Sequence, residues 1–395
     1  MYYTEDRYGH KVSRLGFGCM RFKRSAGSID VNKAEKEIMD AIGRGVNYFD
    51  TAYIYPGSEE CLGEVLERNG ARDKVFIATK LPQYLIKNMS AAERYFKEEL
   101  KRLRTDHVDF YLMHMLTDVK VWNNLCALGI RDWIEEKKAC GAIGQIGFSF
   151  HGNTAAFKEI LEAYDWDFCQ IQYNYVDEHT QAGRAGLEAA RERGIPVVIM
   201  EPLRGGKLVT MLPQKAKDLI AERGGGLSPQ ELAFRWLYDQ EGIMTVLSGM
   251  NSLEMVEDNC RIAERAAEGK LGAEEMALIA DVKAEIARSI KVPCTGCGYC
   301  MPCPHGVDIP GAFRCYNRMF TESKSSGRGE YMQSVGLRKE KSVTTQCVGC
   351  GRCEKHCPQH IEIIKELKNA GSALMPLPRR IALEVARRFL MHGKG

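Results

Sequence analysis

The sequence predicts an α/β fold: a (β/α)8 TIM barrel followed by a smaller, cysteine-rich unit. Three observations carry this. Eight short apolar, β-rich runs alternate with amphipathic stretches over about 250 residues, the count of such a barrel. A doubly wound sheet would show fewer strands and an early glycine fingerprint, which this chain does not have. Cysteine and charge both shift near residue 290. Nine of the fifteen cysteines fall in residues 290–395, with 17 Lys+Arg against 8 Asp+Glu, a net +9 that leaves −6 for residues 1–289.

The strands are expected at 14–18, 47–52, 75–80, 108–114, 143–150, 168–174, 196–201 and 245–249, each short and rich in β-branched or aromatic side chains. Between them, 33–44, 58–68, 91–103, 154–164, 185–193, 229–239 and 253–265 place apolar residues at helical spacing. Residues 2–13 read as a hairpin turning at Gly9-His10 and plugging the barrel bottom. A last helix is expected over 379–391, after Pro376 and Pro378. Its Ile381, Val385 and Phe389 recur at i, i+4 and i+8, a stripe expected to dock on the protein's own barrel. A membrane surface or a partner is the second reading. The expected domains are 1–289 (barrel), 290–375 (cysteine-rich unit) and 376–395 (tail helix).

Apolar content of 45% and charged content of 27% are ordinary for a globular protein. No apolar run approaches the roughly 20 residues a membrane span needs. The basic C-terminal region lacks the aromatic–basic RNA motif or helix-turn-helix pattern that would accompany nucleic-acid binding. Met1-Tyr-Tyr-Thr-Glu does not open like a signal peptide, so a reducing, cytoplasmic location is expected.

Residues 294–303 read Cys294-Thr-Gly-Cys297-Gly-Tyr-Cys300-Met-Pro-Cys303, and 347–357 read Cys347-Val-Gly-Cys350-Gly-Arg-Cys353-Glu-Lys-His-Cys357; proline follows each run. Such triplets with a fourth cysteine before proline hold 4Fe–4S clusters. Three thiolates on a tight glycine-bearing turn each reach one iron corner, and the fourth ligand comes from elsewhere. With two runs, the fourth cysteine of each serves the other cluster. The expected sets are Cys294, Cys297, Cys300 and Cys357 on one cluster, and Cys347, Cys350, Cys353 and Cys303 on the second. Zinc sites use two C-x2-C pairs, not two triplets plus two further cysteines. The first run has two residues before its last cysteine and the second has three, which makes Cys315 the spare ligand to Cys303. The plainer reading of Cys315 is a small buried residue. Cys19, Cys61, Cys126, Cys140, Cys169 and Cys260 are scattered and are expected to be unpaired core residues.

In such barrels chemistry sits at the C-terminal ends of the strands. The polar residues there are Asp50, Tyr53 and Tyr55 after the second strand, Lys80 ending the third and His114 ending the fourth. Ser149 lies on the fifth, Gln170 and Asn174 on the sixth, Glu201 and Arg204 on the seventh and Ser248 on the eighth. An ionisable residue in an apolar strand is costly to bury without a partner. An acid, a lysine and a histidine on three consecutive strand ends can pair with one another, which makes a site.

These residues stand in runs that resemble the aldo/keto reductase family. The runs are Phe49-Asp50-Thr51-Ala52-Tyr53-Ile54-Tyr55, Ser58-Glu59-Glu60-Cys61-Leu62-Gly63, Thr79-Lys80 and Asp109-Phe110-Tyr111-Leu112-Met113-His114. Ile146-Gly147-Phe148-Ser149 and the opening Arg14-Leu15-Gly16-Phe17-Gly18-Cys19-Met20-Arg21 complete them. The resemblance spans residues 10 to 265. The run Cys294 to Pro304, with Gly306-Val307-Asp308-Ile309-Pro310, looks like the helical ferredoxin domain fused to one branch of that family. It implies a small, mainly helical ferredoxin-like domain with two 4Fe–4S clusters.

The resemblance implies a catalytic tetrad of Asp50, Tyr55, Lys80 and His114 and carbonyl reduction, or its reverse, with NADPH or NADH. Tyr55 would be the general acid. A free tyrosine has a pKa of about 10, and Lys80 is expected to lower it. Asp50 would hold Lys80, and His114 would orient the carbonyl oxygen. In the family, Ser149 and Gln170 hold the nicotinamide carboxamide; the usual asparagine beside the serine is Phe150 here, with His151 next. The aromatic that stacks on nicotinamide aligns with Met200, and Asn174 joins the cofactor contacts. The pyrophosphate end is expected over the helix after Asn251, with Ser248, Gly249, Asn251 and Asn259. Gly249 and Met255 stand where NADP-preferring members carry a basic residue, so Arg261 or Arg265 would have to serve a 2′-phosphate.

A hydride carries two electrons and a cluster one at a time, and no flavin motif is visible in the sequence. Two readings follow, a reductase whose ferredoxin-type domain exchanges electrons with a redox partner (flavoprotein or ferredoxin), or a barrel working alone beside structural or oxygen-sensing clusters. The alternative from another class is a non-enzymatic electron-transfer or regulatory subunit. The substrate is expected to be a small carbonyl or alcohol, read by loops near Arg21-Phe22, 119–133 and 204–208. Trp122 and Arg204 are its candidate contacts, with Arg204 meeting a carboxylate or phosphate, or pairing with Glu201.

Overall fold

Eight parallel strands pair in chain order and close on themselves. They are β1 (Leu15–Gly18), β2 (Tyr48–Asp50), β3 (Phe76–Leu81), β4 (Val108–Leu116), β5 (Ile143–Phe150), β6 (Phe168–Gln172), β7 (Val197–Met200) and β8 (Ile243–Ser248). The computed structural model describes residues 1–392 except 26, 268–270, 289, 295, 297, 337–341 and 358, and the backbone alone of 267, 333 and 385–392. The chain divides into two compact units. One comprises Met1–Gly205 with Ser228–Ala273; the other comprises Gly206–Leu227 with Glu274–Gly395.

In the first unit the strands alternate with α1 (Val31–Gly43), α2 (Ser58–Arg68), α3 (Met89–Leu103), α4 (Val119–Ala127), α5 (Ile130–Ala139), α6 (Thr154–Ala163), α7 (Gly183–Glu192), α8 (Pro229–Tyr238) and α9 (Leu253–Glu264). Side-chain caps fix several starts. Asp30, Asn88, Asn153, Ser228 and Ser252 each accept the N–H three residues on, a contact worth about 1 kcal/mol each. The barrel is packed, not hollow. Tyr48, Ala78, Phe110, Leu112, Phe168, Val198 and Met244 form its interior, and Val12 joins them. Val12 belongs to the hairpin of Tyr3–Glu5 and Lys11–Ser13, and the Thr4 hydroxyl ties that hairpin to Met244 O at 2.6 Å.

The register lifts the site residues stepwise. Asp50 lies opposite Ala78, and Lys80 is two residues further on the same face of β3. Lys80 lies opposite Leu112, and His114 is again two further. A side-chain period of two keeps all three on one face. At His114 the β4–β5 pairing shifts register, and Met115 takes φ +58°, the kind of bulge that re-aims side chains at a barrel rim.

Gly63 sets the α2–α3 crossing, because a Cβ there would lie 2.5 Å from Arg102 O and from the Leu103 carbonyl carbon. Two expectations fail in this unit. Cys140 is exposed and Cys126 half-buried, so neither is a core residue. Trp122 is fully buried on α4, against Trp166 at 4.6 Å and Tyr164 at 5.2 Å between ring centroids. It is a packing residue and not a substrate contact.

The second unit is mainly helical, with helices at Lys207–Thr210, Gln214–Arg223, Ala273–Arg288, Ile309–Thr321, Lys324–Tyr331, Arg352–Lys355, Ile363–Leu374 and Leu377–His392. Its core gathers Phe313, Cys315, Tyr331, Leu367 and Leu374. Glu322 links two of its segments, accepting from Lys207 Nζ at 2.6 Å and from Arg318 Nε at 2.7 Å. In the last helix the expected stripe fails at Ile381, its one member whose side chain is described. Ile381 is 59% exposed, and Leu383 enters this unit's own core. Val385 and Phe389 lie outside the residues whose side chains are described. Among the described residues no helix is long and apolar enough to cross a membrane.

Candidate active site and cluster loops

At the C-terminal ends of β2, β3 and β6, three polar side chains interlock. Lys80 is 1% exposed, and its ammonium donates to Asp50 Oδ1 at 2.7 Å and to Thr51 O at 2.6 Å. The second Asp50 oxygen accepts from Gln170 Nε2 at 2.8 Å. Lys80 Nζ lies 5.2 Å from the Tyr55 ring centroid, and the Tyr55 and His114 rings meet edge-to-face at 6.1 Å. The structure thus brings together all four expected residues of the tetrad and adds Gln170 to them.

Burial pushes the Lys80 ammonium down, but Asp50 and Tyr55 outweigh it, and the net direction is up. Burial, reinforced by the Lys80 charge, pushes His114 down to about 3, so its imidazole is neutral near neutrality; Nδ1 is buried with no hydrogen-bond partner among the described residues. Tyr55 departs from expectation. Burial raises it, Lys80 offsets only part of that, and the phenol ends above its ordinary value.

Ser149 and Gln170 are register partners across β5 and β6. The Ser149 hydroxyl accepts from Met115 N–H at 2.8 Å, and β5 is held to β4 there. Asn174 is spent on its own turn and on the segment after β7. Its amide donates to Asp177 Oδ2 (2.9 Å) and Glu201 O (3.2 Å), while its oxygen accepts from Val176 and Asp177 N–H. Met200 ends β7. Asn259 donates to Ser248 Oγ at 3.0 Å, and Asn251 to Arg21 O at 3.4 Å. The Arg21 side chain lies along Gly249, where a Cβ would come within 2.8 Å of it, and ends on Glu201 Oε1 at 3.0 Å. Arg204 pairs with Asp177 at 3.1 Å, and its backbone N–H donates to Glu201 O at 3.1 Å. Arg261 and Arg265 both turn to Glu231, at 3.7 and 3.4 Å.

In the second unit, the glycines flanking the middle cysteine of each run, Gly296, Gly298, Gly349 and Gly351, all take φ between +71° and +81°. Only glycine adopts that region freely, so both loops, 53 residues apart, call for glycine at these positions. A small cavity is lined by Cys294, Cys300 and Cys357 with Ile309, Phe313, Ile361 and Ile363. Cys297 lies outside the described residues. Cys303, Cys347 and Cys353 pack against the same core, and Gln346 Nε2 donates to His305 O at 3.1 Å, which joins the two loops. No three described His, Cys, Asp or Glu side chains are drawn to metal-ligating distance; what fits a cluster is the apolar cavity and its thiol lining. Cys315 is fully buried, its sulfur 3.7 Å from Ser334 Oγ.

Sequence reasoning gave no role to Glu59 and Arg102, which pair at 3.2 Å beside the Tyr55 loop, Glu59 buried and Arg102 half-buried. The only signal was an acidic residue in the first turn of α2.

Comparison with known proteins agrees with this geometry. Residues 14–284 match the aldo/keto reductase family, and residues 293–362 match a 4Fe-4S dicluster domain. An oxidoreductase of Bacillus subtilis is 31% identical over 51% of this chain and 66% of its own length. An aldehyde reductase of Saccharomyces cerevisiae is 25% identical over 63% of this chain and 82% of its own. The solved holo form of an aldo-keto reductase from Bacillus halodurans superposes with a TM-score of 0.60 at 26% identity, over 71% of this chain and 96% of that one. The chain belongs to the aldo/keto reductase family, as an oxidoreductase acting on carbonyl or alcohol groups that carries a 4Fe-4S dicluster domain after its barrel.

Proposed function

We propose that the barrel reduces a small-molecule carbonyl to an alcohol, or runs the reverse, with Tyr55 as proton donor, and that the C-terminal unit holds two 4Fe–4S clusters. NADPH or NADH would supply the hydride. The observation that carries the reading is the Asp50–Lys80 pair set 5.2 Å from the Tyr55 ring. The raised phenol keeps Tyr55 protonated near neutrality, and the Lys80 charge stabilises the phenolate left after transfer. Neutral His114 offers an N–H to the carbonyl oxygen without bringing a second positive charge beside Lys80.

Ser149 and Gln170 suit the nicotinamide carboxamide. Gln170 gives one of its two amide N–H groups to Asp50 and keeps Oε1 to accept; Ser149 accepts from Met115 and keeps its proton to donate. Asn174, with its capacity spent, takes the part of a loop anchor. Ser248, Gly249, Asn251 and Asn259 would face the pyrophosphate at the start of α9, and Met200 would pack on the nicotinamide. Arg261 and Arg265, both committed to Glu231, make NADH as suitable as NADPH, and their relative kcat/KM separates them.

For the clusters, Cys294, Cys297, Cys300 and Cys357 form one set and Cys347, Cys350, Cys353 and Cys303 the other. They would supply one-electron transfer, with a flavoprotein or ferredoxin as partner. Two clusters mean eight irons per chain, and four would remove the second site.

The test of the barrel is Tyr55→Phe in anaerobically purified protein. Reduction of 4-nitrobenzaldehyde by NADPH should fall by about 10²–10⁴-fold, the ordinary worth of a general acid. Full activity in that variant would end the assignment.

A further inference from the structure

Tyr55 sits on a loop and not on a strand, so its aim depends on what fixes that loop. Inside the loop are two turn contacts, Tyr55 N–H to Ala52 O at 2.9 Å and Ser58 N–H to Tyr55 O at 3.0 Å. From outside, Arg24 Nη2 donates to Pro56 O, and the further anchor is Arg102 of α3. Its Nη1 donates to Tyr53 O at 3.3 Å and to Glu59 Oε2 at 3.2 Å. Its guanidinium lies 4.3 Å from the Tyr53 ring centroid, and that ring is backed edge-on by Tyr95. Glu59 is 1% exposed, and its other oxygen accepts from the Thr79 hydroxyl at 2.6 Å. Thr79 directly precedes Lys80 on β3. Arg102 is itself held by Glu98 at 3.1 Å and Glu60 at 3.3 Å. One ion pair therefore ties the Tyr55 loop, the first turn of α2, and the strand that carries Lys80.

We propose that Arg102, through Glu59, is a positioning residue that fixes the Tyr55 loop against the strand of Lys80. This rests on the reading of Tyr55 as proton donor. Neither residue reaches the reacting atoms; their effect is on distance, and a misplacement of about 1 Å costs roughly 10²-fold in rate. The planar fork matters because one guanidinium serves a carbonyl, a carboxylate and a ring face together. An ammonium is a point charge and cannot.

Two variants test this in the full-length protein, using NADPH and 4-nitrobenzaldehyde. Arg102→Lys keeps a charge beside Glu59, so the ion pair and the fold should hold. Glu59→Gln with Arg102→Met removes both charges, so neither is left buried alone. Each should lower kcat by about 10- to 100-fold while KM for NADPH and the melting temperature of Arg102→Lys stay near the parent's. That split separates mis-aimed chemistry from lost binding or lost fold. Arg102→Lys with the kcat of the parent would overturn the proposal, whatever the double variant does. Full activity in Tyr55→Phe would instead overturn the proton-donor reading beneath it.

Discussion

A fully buried ammonium is stable only where acceptors surround it, and Lys80 has two, Asp50 Oδ1 and Thr51 O. Its neighbours then take protonation states that suit reduction. His114 is pushed down to about 3 and Tyr55 is raised above its ordinary value. The sign of the pH dependence follows. With Tyr55 as the proposed proton donor, reduction needs it protonated, so kcat falls as pH rises through the raised phenol value. His114, already neutral, adds no break between about pH 5 and pH 9. We expect a flat kcat for reduction over that range, an alkaline fall, and for alcohol oxidation a rise with pH over the same limb. A bell with an acid limb near pH 6.5 would show that His114 titrates at the ordinary histidine value and is not buried neutral. Replacing Asp50 by Asn leaves Lys80 with one fewer charge partner; its raised value should fall, and activity with it. Asp50, Lys80 and His114 were legible in the sequence because each interrupts an apolar strand at its end. The Gln170–Asp50 bond was not, because the pairing of β6 against β5 brings it about and no local pattern encodes it.

The helices hold these strand ends in place, and two positions show how. Gly63 lets α2 approach the α3 backbone; with a Cβ 2.5 Å from the Leu103 carbonyl carbon, Gly63→Ala must push the helices apart. We expect a loss of about 1–3 kcal/mol, the usual cost of overpacking, measured by denaturant unfolding. Activity should fall as well, since Arg102 rides on α3. Trp122 gives the opposite outcome. Buried against Trp166 and Tyr164, it should cost about 3–5 kcal/mol when cut to Ala and leave KM for carbonyl substrates unchanged at a temperature where the variant is folded. A raised KM with unchanged stability would restore it as a substrate contact. Strands and helices were readable from period and composition because each buries one face against the next. Trp122 was misjudged because its sequence neighbours lie at a barrel mouth, and only the α4–α6 packing shows it turned inward. The last helix was misjudged for a related reason. Ile381 and Leu383 are equally apolar in sequence, and packing selects Leu383.

At the scale of the whole chain, two chemistries share one polypeptide. The barrel is suited to moving two electrons and a proton together; a 4Fe–4S cluster moves one electron. If the clusters exchange electrons with the nicotinamide, the barrel becomes a port for an outside carrier; if not, it is a carbonyl reductase beside an independent iron–sulfur unit. Cys350 distinguishes these because it is exposed on its loop next to Val348, itself 64% exposed. Its loss should empty one site without opening the core that Phe313 and Leu367 form. Cys350→Ala should therefore lower iron from about eight to about four per chain and keep the melting temperature of the barrel. With electron exchange, reduction of a viologen dye by NADPH falls at least tenfold while NADPH-dependent reduction of 4-nitrobenzaldehyde, proposed to run within the barrel, stays within about twofold. With independent clusters, neither rate moves. A parallel fall of both rates would contradict both, because it would make the clusters part of what holds the hydride-transfer site together.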